Sequence, residues 1–262
     1  MLLVACSSSA RTNAPDAFQQ PDAEIAQTID ATTFVDVDRD GLDDARELEL
    51  AKDYQPFLSI DPKDGCPLDG MVVRVRKHPA DPTKILIVYD ELFQNDCGLG
   101  GHVGDDEVFG VAIDPSKPAP EGILAIKAAS HQGTPCERDS ECSTCGDSRS
   151  ACDMANGWPV VYAAKDKHGH YATKDSCGTF NTCLDSCSLA PAAHVEPIAN
   201  AGEPDHPLTN DLTANGFITD ANGWTEADLM HFDPWDASVD FGGAGNIAGD
   251  LVDDAFTAAP CP

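Results

Sequence analysis

The chain has 262 residues, enough to bury one good hydrophobic core with a small appendage. It carries 45 aspartates and glutamates against 16 lysines and arginines, which gives a formal charge of −29. Nucleic acids and anionic membrane surfaces are bound through basic patches, so this charge balance argues against both as partners.

The first residues resemble the lipobox of bacterial lipoproteins. Leu3-Val4-Ala5-Cys6 matches the box, in which the cysteine is lipidated and becomes the mature N-terminus. Ser7 is similar to the signal that sorts such proteins to the outer membrane. Only a stub of apolar sequence and no basic segment precede the box, so either the start is truncated or the match is a chance one. The resemblance predicts an exported, outer-membrane lipoprotein of the cell envelope, anchored through Cys6.

The remaining sequence divides into three predicted parts. Residues 7–33 lack sustained hydrophobic periodicity, which predicts a flexible tether. Residues 34–53 contain an acidic loop and a helix, and residues 54–262 form a β-sandwich domain with a cysteine-rich insertion at 130–157.

Residues 36–47 match the calcium-binding loop of EF-hand proteins. Oxygen-bearing side chains occupy loop positions 1, 3, 5, 9 and 12, and a glycine at position 6 allows the sharp turn. The pattern predicts three direct aspartate ligands, a backbone carbonyl, an aspartate acting through water and a glutamate binding with both oxygens: Asp36, Asp38, Asp40, Leu42, Asp44 and Glu47. The alternative is an acidic helix N-terminus, which the helix dipole favours. The loop predicts a calcium-rich compartment.

After the loop, a helix is predicted from Asp43 to about Lys52, and strands dominate the rest of the chain. Short apolar or alternating runs end in turn residues, which is typical of an antiparallel sandwich or barrel. These runs cover 71–76, 85–89, 107–113, 123–126 and 158–163, and further short helices are predicted at 225–230 and 247–254. The predicted fold class is therefore mainly β: an antiparallel β-sandwich with a few short helices and disulfide-stapled loops.

The 11 cysteines are too many for a reducing compartment unless they bind metal. With Cys6 assigned to lipidation, an even number remains, which fits five disulfides with open connectivity: Cys66, Cys97, Cys136, Cys142, Cys145, Cys152, Cys177, Cys183, Cys187 and Cys261. The group from Cys136 to Cys152 is also open to interpretation as a zinc site, because Cys-x-x-Cys brings two thiolates onto one ion. Export to an oxidising compartment favours disulfides over a zinc site.

A histidine and two acids meet where the strand at 107–113 begins. Asp105 and Glu107 are two residues apart and therefore face the same side of a strand, and His102 lies on the preceding turn. An imidazole and two carboxylates suit a divalent ion or a base–acid pair. The alternative is a solvated turn with His102 at the surface.

This segment, Gly-His-Val-Gly-Asp-Asp-Glu at 101–107, resembles the Gly-His-Arg-His-Asp-Trp-Glu heptad of necrosis-inducing, ethylene-inducing peptide-like proteins. It also resembles the Gly-Asp-Trp-Glu segment of the vacuolar protein sorting-associated protein 62 family. Residues 159–171 are similar to a second shared element, a strand reaching a Ser-His-x-x-Tyr turn, and residues 50–58 are similar to the Tyr-x-Pro opening of the vacuolar-sorting group. The three motifs are in order over roughly residues 50–175.

The resemblance implies a β-sandwich with a divalent-metal pocket at one end. It assigns ligand positions to four residues: His102, Asp105, Glu107 and His168. A further acid of the family corresponds to Asp90 or Asp96, and both stay open. His170 is expected at the surface, because it points away from His168 in an extended strand, and His131 is open as a further ligand. Asp106 and Gly104 replace the tryptophan and second histidine of the heptad, which puts membrane lysis in doubt.

These features favour a lipid-anchored, calcium-binding cell-surface protein that has a second divalent-metal pocket for Mg, Ca or Zn and binds a surface ligand. Its partners are then the membrane, through the lipid anchor, and that ligand. A metal-dependent hydrolase is the alternative, with Glu107 as general base toward a metal-bound water. A membrane-damaging cytolysin follows only from the family resemblance.

Overall fold

The computed structural model describes residues 34–66, 68–78, 81–101, 103–131, 134–178, 183–188, 192–203 and 206–207. Several sequence predictions fall outside these residues, namely those for Cys6, the tether, His102, Cys261 and the two C-terminal helices. Within the described ranges, no helix is long and apolar enough to cross a membrane.

One helix, α1 (Asp44–Asp53), precedes a series of strands. In chain order the strands are β1 (Phe57–Ser59), β2 (Leu68–Lys77), β3 (Ile85–Asn95), β4 (Val103–Ile113), β5 (Ile123–Ser130), β6 (Arg138–Ser143), β7 (Met154–Ala155), β8 (Trp158–Ala163), β9 (His170–Tyr171), β10 (Ile198–Asn200), β11 (Gly202–Glu203) and β12 (His206–Pro207). The prediction of a mainly β fold is confirmed.

The strands form two main sheets. The larger has the order β10-β2-β3-β4-β5-β6, with antiparallel neighbours except for β10, which runs parallel to β2. In the smaller sheet β8 lies between β1 and β7 and also pairs with β9. One core joins them, because Ile87 and Phe109 of the large sheet cluster with Leu58 and Val161 of the small one. This arrangement is a sandwich, as predicted.

The helix α1 begins and ends within one residue of its predicted bounds. Asp43 has extended backbone, and its carboxylate accepts the Arg46 N–H at 3.2 Å, which is the usual role of an N-cap aspartate. Leu50 and Ala51 are buried in the core, and the Ala51 carbonyl accepts the Tyr89 hydroxyl at 2.8 Å. The helix is thereby fixed to β3 of the large sheet.

The central strands are longer than their apolar runs predict. β3 continues six residues beyond Tyr89, and β4 begins at Val103 rather than Glu107. The two strands pair in unbroken register from Ile85 opposite Ile113 to Phe93 opposite Asp105. β6 and β7 also lie in the insertion at 130–157, which the sequence predicts as loop. Backbone pairing therefore carries strand structure through charged residues that a hydrophobicity pattern treats as its end.

Disulfides account for the described cysteines. Four bridges are Cys66–Cys97, Cys136–Cys183, Cys142–Cys152 and Cys177–Cys187, and Cys145 is disulfide-bonded as well. A bridged sulfur is no longer a thiolate, so the zinc interpretation of the group from Cys136 to Cys152 is wrong.

The side chain of Gln55 binds the backbone of Val195, and a substitution can test how much this contact stabilises the fold. Its side-chain amide donates to the Val195 carbonyl at 3.1 Å and accepts the Val195 N–H at 3.0 Å, and both residues are buried. Replacing it in Gln55→Leu leaves both backbone groups without these partners, so we expect a loss of about 2–4 kcal/mol in urea unfolding. Glu121→Leu, at an exposed position, is the control and should change stability by less than about 0.5 kcal/mol. Equal losses in both variants would contradict the prediction.

Candidate functional site

The acidic loop at 36–47 is folded so that its carboxylates converge. Arg39 and Gly41 have left-handed backbone, with φ of 67° and 87°, and the Gly41 N–H donates to Asp36 Oδ2 at 3.1 Å. Glycine adopts this backbone without steric cost. Carboxylate oxygens of three residues consequently lie within 4.8 Å of one another: Asp36, Asp38 and Asp40.

A second, overlapping group continues this cluster into α1. Carboxylate oxygens of Asp38, Asp44 and Glu47 also lie within 4.8 Å of one another. Asp44 accepts the Val37 N–H at 3.1 Å, which holds the start of the loop against the helix. The side chain of Leu42 packs against the hydrophobic core from the loop's centre. The predicted ligand side chains are thus close together.

Several oxygens in this cluster are buried without a hydrogen bond. Asp38 is 4% exposed and Glu47 is 0% exposed. Within the part of the chain that the structure describes, the oxygens without a partner are Asp36 Oδ1, Asp38 Oδ1, Asp38 Oδ2, Asp40 Oδ2 and Glu47 Oε1. Buried acceptors normally have partners, so these oxygens point to a ligand.

The electrostatics of the loop favour a cation. Burial, together with the charges of Asp38, Asp40 and Asp44, raises the pKa of Glu47 to about 8, although a hydrogen bond from Asn200 opposes this. Burial and neighbouring acids also raise the pKa of Asp38 and of Asp40. Carboxylates that repel one another in this way are stabilised by a shared positive ion. The loop could therefore hold a metal ion.

The second predicted site lies on β4. Asp105 and Glu107 face the same side of the strand, as predicted, with Phe93 and Glu91 of β3 directly opposite them. Asp105 Oδ2 lies 2.7 Å from His168 Nδ1, so the fold brings these two predicted residues together across 63 positions of sequence.

His168 is held between two carboxylates. Its Nε2 lies 3.3 Å from Asp64, and its ring stacks on Phe93 with centroids 3.7 Å apart and planes at 5°. Burial lowers the pKa of His168, but the bonds and charges of Asp105 and Asp64 outweigh it and raise the pKa to about 9. Both ring nitrogens then carry protons, so a metal would have to displace one carboxylate. The nearby Cys66 offers no thiolate, because it is bridged.

Glu107 and Glu91 add two more acids to the side of β3 and β4 that faces the core, here called the inner face. Burial and the charges of Asp105 and Asp106 raise the pKa of Glu107 well above its usual range. Glu91 Oε2 lies 2.7 Å from His170 Nε2, and both side chains are fully buried. Among the described residues, Glu107 Oε2, Glu91 Oε1 and His170 Nδ1 have no hydrogen-bond partner.

The surface position predicted for His170 is therefore wrong. His168 has a φ of 55° and precedes β9, so the two histidines do not alternate along an extended strand. The chain reverses between Ala164 and Gly169, and both rings contact β3, His168 at Phe93 and His170 at Glu91. The alternation rule fails because it applies only to strand backbone.

The two candidates for the upstream acid differ in their surroundings. Asp90 is fully buried opposite Val108, so it points away from Glu91 and Glu107. Burial and the charge of Asp106 raise the pKa of Asp90 well above its usual range. Asp96 instead accepts the Gly98 N–H at 2.7 Å and pairs with Lys167. Neither acid joins the inner face as a direct neighbour of Glu107.

Four acids or histidines near this face were not assigned from the sequence as members of a site: Asp64, Glu91, His170 and Asp185. Asp185 Oδ2 lies 2.6 Å from His131 Nε2 and accepts the Tyr171 hydroxyl. Of these, only Glu91 could have been found from the sequence, because it follows soon after the apolar run at 85–89 and an acid in that place can continue a buried strand. Asp64 and Asp185 lie in loops, where no periodicity points to them.

Comparisons with known proteins add little to this geometry. No protein-family model and no curated protein matches the chain. One similar solved structure is described as a toxin fold for microbial attack and plant defense, with TM-score 0.32 and 16% identity over 60% of this chain and 74% of that chain. Another is described as NLPPya in complex with glucosamine, with TM-score 0.28 and 17% identity over 56% and 65%. At these values neither structure transfers a site to this chain.

The position of His168 predicts a pH dependence of stability. Its folded pKa of about 9 exceeds its ordinary value of 6.5, so its contribution is fully present below pH 6.5 and is lost as pH rises through 9. We expect His168→Gln to remove on the order of 3 kcal/mol at about pH 6 and much less at about pH 10, measured by urea unfolding.

The control for this measurement is His194→Gln, since residue 194 is exposed overall although its ring packs against Phe57 and Trp158, and this partial burial lowers its pKa. That variant should follow the wild-type pH profile above about pH 7, since this histidine is already neutral there. A stability difference for His168→Gln that stays constant over this pH range would contradict the prediction.

Proposed function

We propose that this protein is an exported, calcium-binding cell-surface protein in which residues 36–47 bind Ca²⁺. The observation that carries the proposal is the set of buried carboxylate oxygens in the loop that lack hydrogen-bond partners within the described chain, above all those of Asp38 and Glu47. An uncompensated buried carboxylate is costly, so the loop is stable as built only with a cation or with bound protons.

The ligand chemistry favours calcium over a softer metal. The loop offers carboxylate and carbonyl oxygens, which hard cations prefer, and no imidazole or thiolate lies in its two groups. Residues at alternate positions supply the first ligands, and Gly41 provides the turn. The disulfides support the proposed export, since such bridges persist outside the reducing cytosol. Calcium is also plentiful there.

In this proposal the calcium loop stiffens the join between anchor and working domain. Cys6 would carry the lipid, and residues 7–33 would connect the anchor to the loop. A bound ion would fasten the loop to α1, whose apolar side already packs in the core. The working domain would then present a surface ligand site within reach of the membrane.

A second divalent ion is proposed on the inner face of β3 and β4. Glu107 and Glu91 supply buried oxygens without partners in the described chain, and His170 supplies a ring nitrogen in the same state. Asp105 stands beside them, and His102 remains a predicted ligand. A mixed oxygen and nitrogen set suits several divalent metals, Mg, Ca and Zn among them. This ion would offset the burial and the neighbouring charges that raise the pKa of Glu107.

Calcium should stabilise the wild type through the loop. At 100-fold excess over the dissociation constant, we expect about 2.7 kcal/mol of added stability and a rise of several degrees in Tm, because only the folded loop collects the ligands. Asp38→Ala should lose most of this gain. The measurement is thermal unfolding with calcium and with chelator.

The matched control is Asp53→Ala, which removes one negative charge from an exposed position at the other end of α1. It should keep the full calcium response, whereas a general charge effect would lower both responses alike. The calcium proposal is falsified if the wild type melts at the same temperature in both solutions.

Elemental analysis should separate the two proposed sites. Purified wild type should carry an ion at each, Asp38→Ala should lose the loop ion, and Glu107→Gln should lose the inner-face ion, since each change removes a central ligand. Glu121→Gln, at an exposed position, should keep both. Unchanged metal content in Glu107→Gln would eliminate the second pocket while leaving the loop proposal intact.

A further inference from the structure

Asn200 connects the acidic loop to the large sheet. Its Nδ2 lies 2.5 Å from Glu47 Oε2, across 153 positions of sequence. The amide NH₂ of Asn200 donates this bond, and the Glu47 oxygen accepts it. The amide oxygen is engaged as well, since it accepts the Gly202 N–H at 3.2 Å. Both ends of the Asn200 side chain therefore have partners, which fixes its orientation.

The backbone of Asn200 is also fixed. It ends β10, which pairs in parallel with β2, and it lies opposite Val73 in the register. Asn200 is 8% exposed and Glu47 is 0% exposed, so the bond between them is shielded from water. A buried hydrogen bond to a charged group is stronger than an exposed neutral one, so this contact can hold Glu47 in one position.

The two oxygens of Glu47 consequently differ. Oε2 is tied to the sheet by Asn200, whereas Oε1 is buried and has no partner within the described chain. Glu47 also belongs to the group with Asp38 and Asp44 whose ligand atoms lie within 4.8 Å of one another, each residue offering one atom. The free oxygen is thus the one available to an ion.

We propose that Asn200 is a positioning residue that restricts Glu47 to one-oxygen binding and so makes the loop accept Mg²⁺ as well as Ca²⁺. This inference rests on the proposed metal binding by residues 36–47. It departs from the sequence prediction that Glu47 binds with both oxygens. That prediction uses only the loop residues and so could not include Asn200.

The reason lies in the number of ligands. In the ligand pattern predicted for the loop, six sources would each supply one oxygen: Asp36, Asp38, Asp40, the Leu42 carbonyl, a water on Asp44, and Glu47 Oε1. Mg²⁺ demands about six oxygens in an octahedron, whereas Ca²⁺ accepts about six to eight in flexible geometry. A second oxygen from Glu47 would favour Ca²⁺ by completing a set too large for Mg²⁺. By tying Oε2 to the sheet, Asn200 would keep the carboxylate from turning this oxygen toward the ion.

The test compares Ca²⁺ and Mg²⁺ binding by calorimetry in wild type and Asn200→Ala, with Asp38→Ala as the blank for the loop. Removing the amide frees Glu47 to offer both oxygens, so the ratio of the Mg²⁺ to the Ca²⁺ dissociation constant should rise about tenfold. Loss of positioning alone would weaken both ions equally and leave the ratio unchanged. An unchanged ratio overturns the inference.

Asn156→Gly is the matched control, because it removes an exposed asparagine from a turn with φ of 50°, which glycine tolerates. Its ratio should equal that of the wild type, and a ratio that rises as in Asn200→Ala overturns the inference. If the wild type binds neither ion more than the Asp38→Ala blank does, the proposed metal site itself fails. That outcome is distinct from binding with an unchanged ratio.

A second measurement needs no Asn200 variant and so holds even if that variant does not fold. The infrared antisymmetric stretch of a carboxylate separates one-oxygen from two-oxygen metal binding. The difference spectrum between Ca²⁺-loaded and metal-free wild type, with Asp38→Ala as the blank, should show the one-oxygen band for the loop. A two-oxygen band overturns the inference.

Discussion

Repulsion between buried carboxylates is the constraint on which the rest of this structure depends. The chain carries a formal charge of −29 and still buries acids at the loop before α1 and on β3 and β4. Burial and mutual repulsion raise the pKa of Glu47, Asp90 and Glu107. Hydrogen bonds from Asn200 and from histidines offset only part of this cost. Bound protons or bound cations could compensate the remainder.

The geometry of β3 and β4 explains why the acids crowd on both faces. Consecutive residues of a strand point to opposite sides, so Asp90 and Glu91 cannot share a face. Pairing then places Glu107 opposite Glu91, while Asp106 faces the same side as Asp90. The apolar pattern predicts both strands correctly at their centres but ends them at these acids. Interstrand hydrogen bonds continue past them, and no hydrophobicity pattern contains that information.

The two candidate sites differ in how far the sequence predicts them. The ligand pattern of the loop at 36–47 is local: its spacing and its glycine turn lie within one segment, so the cluster follows from sequence alone. The inner face is assembled from distant segments. There Asp64 reaches His168 across 104 positions, and the loop too gains one distant partner, because Asn200 reaches Glu47 across 153. Such partners depend on sheet register and loop paths, which is why Asp64 and Asn200 carry no signal in the sequence.

A disulfide links the segment of one distant acid, Asp64, to the large sheet. Cys66–Cys97 joins the loop that carries Asp64 to the end of β3, and Asp64 accepts the Asp166 N–H at 2.8 Å. A covalent bridge limits the unfolded chain whatever the ionisation of its neighbours, so it opposes repulsion even when no cation is bound. Bridges and calcium are both supplied outside the cytoplasm. In a reducing compartment the fold would lose this covalent constraint, while the repulsion between its buried acids would remain.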